Sequence, residues 1–269
     1  MLQDLIDKII FLAMGGKNQE KKLMRCERYR SNSILKWKRQ CGFGWTTTFK
    51  ILNGLKIFDG EKIRQIIGKI ISDNNVLFKR KKLFITSFGE EGKSGGVICY
   101  EFRHAKLIAR SCFTKIFDIV KLPPNSTIIF VDDLIGTGNQ SLNYINSKLN
   151  LLLSPSHNAI LLTICATPEG IEKVTNNSNF EVLPGMVLNK DQYQYYSEDC
   201  NYFNPIEKEK IREINWKLKK ALIPDYDLGL LIAFSYSTPN NTMPIIWKEG
   251  CEYITKNQKL ENWFALLPR

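Results

Sequence analysis

Apolar residues at helical spacing run through the first 80 residues of the chain. The pattern is clearest in residues 61–72, where five isoleucines fall at i, i+3, i+4, i+7 and i+8: Ile63, Ile66, Ile67, Ile70 and Ile71. One apolar stripe with polar residues facing away is typical of an amphipathic helix. The pattern predicts a helical N-terminal region over residues 1–80.

From residue 83 onward, short apolar runs alternate with segments of helical spacing. The predicted strands cover residues 83–87, 127–131, 159–166, 180–183 and 228–234. The predicted helical segments cover residues 96–119 and 142–152, a short helix opened by Pro168, and residues 206–222. Strands that alternate with helices indicate an α/β fold with a mostly parallel sheet, here of five strands flanked by helices. We therefore predict two domains, a helical N-terminal region over residues 1–80 and an α/β domain over residues 81–269.

Composition narrows the class of protein. The 269 residues carry 38 Lys+Arg against 27 Asp+Glu, a net charge of +11, and 43% are hydrophobic. These values exclude a disordered, collagen-like or coiled-coil chain, and no apolar run approaches the roughly 20 residues of a membrane helix. The short apolar stretch near the N-terminus does not have the charge pattern of a secretory signal. Seven cysteines without a C-x-x-C pair or a histidine cluster predict reduced thiols, no zinc site and a cytoplasmic protein.

Basic residues are concentrated in two segments. The first lies within residues 17–39, and its candidate nucleic-acid-binding residues are Lys21, Lys22, Arg25, Arg28 and Arg30. The second is residues 79–82. Such clusters suit partners that carry phosphate groups. A solvated basic face is the alternative interpretation.

The segment with the clearest chemistry is residues 128–141. A buried strand ends in two adjacent carboxylates, Asp132 and Asp133, and a loop with Gly136 and Gly138 leads into a helix near Ser141. In open α/β sheets, ligands bind beyond the carboxyl ends of the strands. A glycine loop before a helix offers free backbone N–H groups and the positive end of the helix dipole to a phosphate. The carboxylates would then hold ribose hydroxyls or the water shell of Mg²⁺.

This order of residues resembles the ribose-5-phosphate-binding motif of type I phosphoribosyltransferases. The resemblance implies that Asp132 and Asp133 bind the ribose hydroxyls of phosphoribosyl pyrophosphate, with Mg²⁺ held through water. It also implies a loop that wraps the 5′-phosphate, formed by Gly136, Thr137, Gly138, Asn139, Gln140 and Ser141. The family usually has Thr or Ser where this chain has Gln140. The implied reaction is displacement at the anomeric carbon of the ribose.

A second glycine-rich loop lies upstream of the acidic pair. It follows the predicted strand over residues 83–87 and contains Lys93, Ser94 and Gly95. In the family this is the position of the pyrophosphate loop, so Lys93 would assist the leaving group. No general base stands out, although His104, Glu90 and Glu91 are candidates.

Two C-terminal segments resemble a divergent phosphoribosyltransferase-like group called PRTase-CE. They are residues 237–247, with Thr242, Pro244 and Trp247, and residues 263–269. The acidic motif of that group tends to contain Gln at the position of Gln140. The group occurs in prokaryotic conflict and antiphage loci, including some retron operons. The resemblance thus implies an antiphage effector, with a nucleic acid, a reverse transcriptase or another defence protein as a partner.

Three other interpretations stay open. Residues 87–94 miss the Walker A pattern of P-loop NTPases by one glycine, although Gly95 and Gly96 would weaken the first turn of the required helix. The acidic pair could be an ordinary polar turn after a strand. The chain could also be a non-catalytic nucleotide or phosphoribosyl sensor, or a scaffold that docks on a nucleic acid or a partner protein.

Overall fold

The computed structural model describes residues 2–219, 228–250, 252–254 and 260–269. The helices are α1 (Leu2–Ala13), α2 (Gly16–Leu23), α3 (Ser33–Cys41), α4 (Trp45–Gly54), α5 (Gly60–Asp73), α6 (Asn75–Phe78), α7 (Ser94–His104), α8 (Asn139–Ser147), α9 (Pro168–Asn176), α10 (Lys190–Tyr193), α11 (Pro205–Lys219) and α12 (Pro244–Trp247). The strands are β1 (Lys56–Phe58), β2 (Leu83–Ser87), β3 (Thr127–Ile135), β4 (Asn158–Ala166), β5 (Phe180–Pro184), β6 (Ile232–Phe234), β7 (Glu252–Ile254) and β8 (Leu260–Asn262).

The main sheet contains four parallel strands in the order β2-β3-β4-β5. This confirms the α/β class and the mostly parallel sheet flanked by helices. Four of the five predicted strands form this sheet. The run over residues 228–234 contributes only β6, which pairs in parallel with β1 in a separate two-stranded sheet. Because all four strands of the main sheet point the same way, their carboxyl ends share one edge.

The chain divides into two compact units. Unit 1 comprises Met1–Asp59 and Lys190–Arg269, and unit 2 comprises Gly60–Asn189. The boundary that we place between residues 80 and 81 lies inside unit 2, and that division into domains stays a prediction. The N-terminal helices are present: α1 to α6 and the short strand β1 account for the regular structure of residues 2–80.

The core of unit 1 is made of segments far apart in sequence. Trp37 on α3 is fully buried and donates its ring N–H to the backbone oxygen of Ile245 at 2.7 Å. The side-chain oxygen of Asn215 on α11 accepts from the Ile245 N–H at 2.8 Å. The N–H of Leu267 in turn donates to Ile246 at 2.8 Å. The C-terminal segments that carry the resemblance to the PRTase-CE group are therefore part of the core of unit 1.

The core of unit 2 lies between the main sheet and the helices that flank it. Ile128, Phe130 and Leu161 are fully buried, and the Phe130 ring lies 5.4 Å from that of Phe180 on β5. Strands buried on both faces consist of nearly continuous apolar residues, which is why β3 and β4 were readable from the sequence.

The predicted helical segments over residues 96–119 and 142–152 have different bounds in the structure, the second being α8, which begins at Asn139 and ends at Ser147. Helix α7 ends at His104 rather than continuing to residue 119, because Lys106 has a left-handed φ of 54° and Phe113 bridges to Ile85 of β2. Short 3-10 turns at Arg110–Cys112 and Ile116–Lys121 replace the rest. The predicted helix over residues 206–222 is α11, and residues 220–222 lie outside the described residues. Among the helices of the described ranges, none combines the length and apolar character that crossing a membrane requires.

Candidate functional site

The acidic pair lies at the carboxyl end of β3, which is an interior strand of the main sheet. Residues 128–131 of this strand are fully buried, and Asp132 is paired in register with Thr163 of β4. The strand continues to Ile135, four residues beyond its predicted end. Both carboxylates are half-buried. The fold therefore places Asp132 and Asp133 at the sheet edge where α/β proteins bind ligands.

Asp132 is held by two hydrogen bonds to the same oxygen. The Ser94 hydroxyl donates to Oδ1 at 2.7 Å, and the backbone N–H of Asp133 donates to Oδ1 at 2.9 Å. Burial raises the pKa of the Asp132 carboxyl well above its usual range, and the negative charge of Asp133 raises it further. The hydrogen bonds from Ser94 and from the Asp133 N–H act in the opposite direction. The site thus holds a carboxyl group whose ionisation is unfavourable in the absence of a ligand.

The loop between β2 and α7 packs directly on β3. The N–H of Phe88 donates to Val131 at 2.9 Å, and a side chain at Gly95 would place its Cβ only 2.0 Å from the Phe88 oxygen. Gly89 and Gly92 have left-handed φ angles of 92° and 79°, which glycine adopts without strain. Glycine at these positions therefore lets the loop approach the acidic strand closely.

Lys93 and Ser94 occupy the start of α7. Lys93 is the N-cap residue, with an exposed side chain, and the helix begins at Ser94. Although glycine weakens a helical turn, α7 runs through both Gly95 and Gly96. Glycine is required at position 95 because the loop approaches β3 too closely for a side chain. The structure thus brings Ser94 and Gly95 against the acidic strand and leaves Lys93 facing solvent beside it.

The loop after β3 is fixed from its far side by α9. Thr167 donates its hydroxyl to the backbone oxygen of Gly136 at 2.7 Å and accepts from the N–H of Gly170 at 3.1 Å. A Cβ on Gly170 would lie 2.1 Å from the same Gly136 oxygen. The Lys173 ammonium group also contacts the side-chain oxygen of Asn139. These contacts determine where the glycine loop lies.

Helix α8 begins immediately after the glycine loop. Gly138 is its N-cap residue, with a left-handed φ of 78°, and no side chain caps the helix. The first N–H groups of a helix have no acceptor within the helix, so this terminus can receive an anion. Gln140 is exposed and Thr137 is half-buried, whereas Ser141 is 6% exposed and faces the interior. Ser141 therefore takes a packing position in the first turn of α8.

Several residues of the site were not identified from the sequence. Thr167, Gly170 and Lys173 fix the glycine loop, and the Tyr144 hydroxyl donates to the backbone oxygen of Gly89 at 2.9 Å. The role of Thr167 as a helix cap could be predicted from the sequence, since Thr followed by Pro168 is typical of a helix start. The roles of the other three could not be predicted, because they depend on neighbours distant in sequence.

The basic N-terminal residues lie in unit 1, and three of the five are engaged within that unit. The Lys22 ammonium group donates to the Leu52 oxygen at 2.7 Å, and burial, then the charges of Lys56 and Arg25, lower its pKa to about 8. Arg25 lies 3.5 Å from the Asp59 carboxylate, and Arg30 pairs with Glu249 through both carboxylate oxygens. Lys21 and Arg28 are exposed. The nucleic-acid role of this segment stays a prediction.

Asp132 and Asp133 are the candidate metal ligands of this site. Within the described ranges, no group of three or more His, Cys, Asp or Glu side chains is placed to hold a metal ion. Mg²⁺ needs no such cage, because it is commonly bound through one or two carboxylates, water and the phosphates of a substrate. Two neighbouring carboxylates are suitable ligands for Mg²⁺ because a cation offsets the unfavourable ionisation of Asp132 beside Asp133. Asp132 and Asp133 therefore fit Mg²⁺ that arrives with a phosphorylated ligand.

A family model described as PRTase-CE matches residues 35–269. No curated protein matches the chain. Similar solved structures include a hypoxanthine-guanine-xanthine phosphoribosyltransferase, with 16% identity and a TM-score of 0.34 over 56% of this chain and 92% of that one.

Two further structures give comparable values. Adenine phosphoribosyltransferase from Trypanosoma brucei has 15% identity and a TM-score of 0.34 over 54% of this chain and 70% of that one. Orotate phosphoribosyltransferase from Aeropyrum pernix has 11% identity and a TM-score of 0.32 over 46% and 69%. The family match covers far more than half of the residues, from Leu35 to the C-terminal Arg269. This chain belongs to the PRTase-CE family.

Proposed function

We propose that this protein binds a phosphoribosyl compound, phosphoribosyl pyrophosphate or a nucleotide, at the carboxyl end of β3. The observation that carries the proposal is the 2.7 Å hydrogen bond from Ser94 to Asp132. This hydrogen bond connects the two segments for which the sequence analysis predicts ligand binding. They are the glycine-rich loop before α7 and the acidic motif of β3. Membership of the PRTase-CE family supports the same assignment.

Each part of the ligand has a candidate partner at this edge. Asp132 and Asp133 would accept hydrogen bonds from the ribose hydroxyls, which are donors that a carboxylate recognises. The 5′-phosphate would lie at the uncapped N-terminus of α8, where Gly138 lets the backbone approach closely. The loop that contains Lys93 and Gly95 would receive the pyrophosphate. Gln140, on the solvent side of the first turn of α8, is free to contact a phosphate from outside the loop.

We further propose that the reaction takes place at the anomeric carbon. The bond from this carbon to a pyrophosphate oxygen would break as the bond to an acceptor forms, and pyrophosphate would leave with the bonding electrons. Lys93, exposed at the start of α7, would neutralise charge that develops on the leaving oxygen. Asp132 and Asp133 would hold the sugar in place, and bound Mg²⁺ would supply electrostatic stabilisation of the pyrophosphate.

Binding can be tested by calorimetry with phosphoribosyl pyrophosphate, ribose-5-phosphate and ATP, each with and without Mg²⁺. The double variant Asp132→Asn with Asp133→Asn should lose binding of phosphoribosyl pyrophosphate. A matched control, Asp73→Asn with Asp191→Asn, removes two exposed carboxylates elsewhere and should bind as the wild type does. Equal binding by both double variants would refute the site.

The same variants separate the alternatives when an assay of pyrophosphate release is added to the calorimetry. A sensor would bind the phosphoribosyl ligand, lose it in the Asp132/Asp133 variant and release no pyrophosphate with any acceptor. A P-loop NTPase would bind ATP alone, would keep this binding in the Asp132/Asp133 variant and would lose it in Lys93→Ala. Release of pyrophosphate that disappears in the Asp132/Asp133 variant would support the enzyme.

We also propose that the protein is a cytoplasmic effector of an antiphage system. This role is supported by the resemblance of its acidic and C-terminal motifs to a group found in such loci. The test is phage plating on a host that carries the gene together with its neighbouring genes. Plaque formation should fall with the wild type and recover with the Asp132/Asp133 variant. Plating equal to that of the empty host would refute a defence role.

A further inference from the structure

Unit 2 has a positively charged surface at the amino ends of the strands of the main sheet, the edge opposite to the one that carries Asp132 and Asp133. Arg80, Lys81 and Lys82 precede β2, and Asn125 and Thr127 lie at the start of β3. From Thr127 to Asp132 the strand runs five residues, which is about 17 Å. This amino edge is therefore separate from the site proposed for the phosphoribosyl ligand, and a ligand at one edge does not occupy the other.

The first depression on this edge spans the starts of three neighbouring strands. It has a volume of about 550 Å³ and is lined by the three cations together with Asn125, Thr127 and Asn158. Arg80 donates to the Thr127 hydroxyl at 3.0 Å, and Lys82 donates to the Pro124 oxygen at 3.0 Å. These contacts hold two of the three cations in place against the sheet.

The second depression lies at the end of α7. It has a volume of about 360 Å³ and is lined by Tyr100, Arg103, His104, Lys106, Ile108 and Arg110. The Tyr100 side chain is 55% exposed, and its ring lies 4.2 Å from the His104 ring, at an angle of 37°. The depression thus combines three cations with an exposed aromatic ring that its neighbour helps to orient.

The chain segments that carry the two depressions are linked by a pair of aromatic rings. Phe78 on α6 and Phe102 on α7 stack with ring centroids 6.3 Å apart. Arg80 lies two residues after Phe78 and Arg103 lies one residue after Phe102. The stacked rings therefore hold the chain segments of both depressions together. We call the six cations the amino-edge surface: Arg80, Lys81, Lys82, Arg103, Lys106 and Arg110.

The charge of this surface is not neutralised by the protein. Considering only the residues that the structure describes, neither depression is lined by a carboxylate. In that same part of the chain, none of the cations of the amino-edge surface forms an ion pair, whereas Arg25 and Arg30 in unit 1 both do. Six exposed cations without counter-charges repel one another, so the surface favours a polyanion.

We propose that the amino-edge surface binds the backbone of a single-stranded nucleic acid, with a base stacked on Tyr100. A single phosphate group would use only one depression, whereas a strand places successive phosphates along both. Exposed aromatic rings interleaved with cations are how single strands are bound without dependence on sequence. The side-chain amides of Asn125 and Asn158 add neutral donors to phosphate oxygens.

The test is fluorescence anisotropy with a labelled oligothymidine of roughly 12 nucleotides. For about four neutralised phosphates, the slope of log affinity against log salt is about −3. A rise from about 50 mM to about 200 mM salt should then weaken binding roughly fiftyfold. Arg103→Glu with Lys106→Glu should weaken binding at least about tenfold and make the slope shallower by about 1.4. Tyr100→Ala should weaken it roughly five- to hundredfold.

Two controls make the result specific. Lys8→Glu with Lys217→Glu changes the net charge by the same amount at exposed residues of unit 1 and should change affinity less than about twofold. The Asp132/Asp133 double Asn variant should bind the oligonucleotide as the wild type does, so that failure of the phosphoribosyl site is distinguishable. Equal losses in the two charge-reversal variants would overturn the proposal. Binding of inorganic pyrophosphate at this surface without binding of the oligonucleotide would also overturn it.

Discussion

Gly95 and Gly96 are neighbours in the first turn of α7, yet the structure predicts opposite effects for the same substitution. A Cβ on Gly95 would lie 2.0 Å from the Phe88 oxygen and 2.8 Å from both the Phe88 nitrogen and the Val131 oxygen. A Cβ on Gly96 would have no heavy atom within 4 Å. Gly95→Ala and Gly96→Ala therefore form a matched pair within one helical turn.

The magnitude follows from which atoms would have to move. At Gly95 the nearest contact is about 1.4 Å shorter than the ordinary contact distance of 3.4 Å, and all three obstacles are backbone atoms. Overpacking of this kind costs about 3 kcal/mol, at the upper end of the usual range. The higher helix propensity of alanine relative to glycine offsets up to about 1 kcal/mol of this loss of stability. The net destabilisation of Gly95→Ala should then be about 2 kcal/mol. Gly96→Ala should stabilise the protein by up to about 1 kcal/mol.

Thermal unfolding followed by circular dichroism measures both effects. A change of 1 kcal/mol shifts Tm by about 2–4 °C in a protein of this size, so Gly95→Ala should lower Tm by about 4–8 °C. Gly96→Ala should raise it by up to about 4 °C. Because the loop must move away from β3, Gly95→Ala should also weaken the Ser94–Asp132 contact and the binding of phosphoribosyl pyrophosphate. Equal Tm values for the two variants would refute the close approach of this loop to β3.

Three other substitutions test the groups that hold the site and the core. Burial and the charge of Asp133 raise the pKa of Asp132, so Asp132→Asn should become more stable relative to the wild type as the pH rises from about 4 to about 8; a Tm difference independent of pH would contradict this. Thr167→Ala should destabilise by about 1–2 kcal/mol and weaken ligand binding, since Thr167 caps α9 and holds Gly136, whereas Thr167→Ser should retain both properties. Asp7→Asn should destabilise by about 3 kcal/mol in urea unfolding, because it breaks a buried pair with Lys38; a loss below about 1 kcal/mol would show that the pair is not needed.

The main sheet and the acidic motif could be predicted because their signals are local. β3 and β4 are uninterrupted apolar runs, and Asp132 and Asp133 directly follow one of them. Glycines at Gly136 and Gly138 then indicate a tight loop before a helix. Each of these features depends on residues within about 15 positions of one another, the range over which hydrophobic periodicity carries information.

The division into two units could not be predicted because it depends on contacts between distant parts of the chain. β1 pairs with β6, so that Phe58 lies beside Phe234, and Trp37 bonds to Ile245. No local pattern indicates that residues 190–269 return to the N-terminal helices. The same reason applies to Thr163 and Thr167, which reach Asp132 and Gly136 only after β3 and β4 pair.

Asp7, which is buried, and Asp132, which is half-buried, have opposite pKa shifts, and this difference separates a structural carboxylate from a candidate functional one. Burial raises the pKa of Asp7 too, but hydrogen bonds and charge from Lys38, with further bonds from Trp45 and Arg39, outweigh it and lower the pKa overall. The ionised Asp7 therefore stabilises the fold, and this stabilisation is lost as the pH falls through its lowered pKa.

Asp132 has no such compensation. The hydrogen bonds that favour its ionised form come from one hydroxyl and one backbone N–H, both without charge, and the charged group that acts on it is another carboxylate, Asp133. The ionised form therefore opposes folding, and its cost is present once the pH has risen through the raised pKa. A strand end that served stability alone would favour a neutral residue at this position. A cation and a sugar that bind together would supply the positive charge and the hydrogen-bond donors that ionised Asp132 needs. We therefore assign Asp132, whose ionised form destabilises the free protein, to ligand binding. Asp7→Asn and Asp132→Asn should consequently change stability near neutral pH in opposite directions.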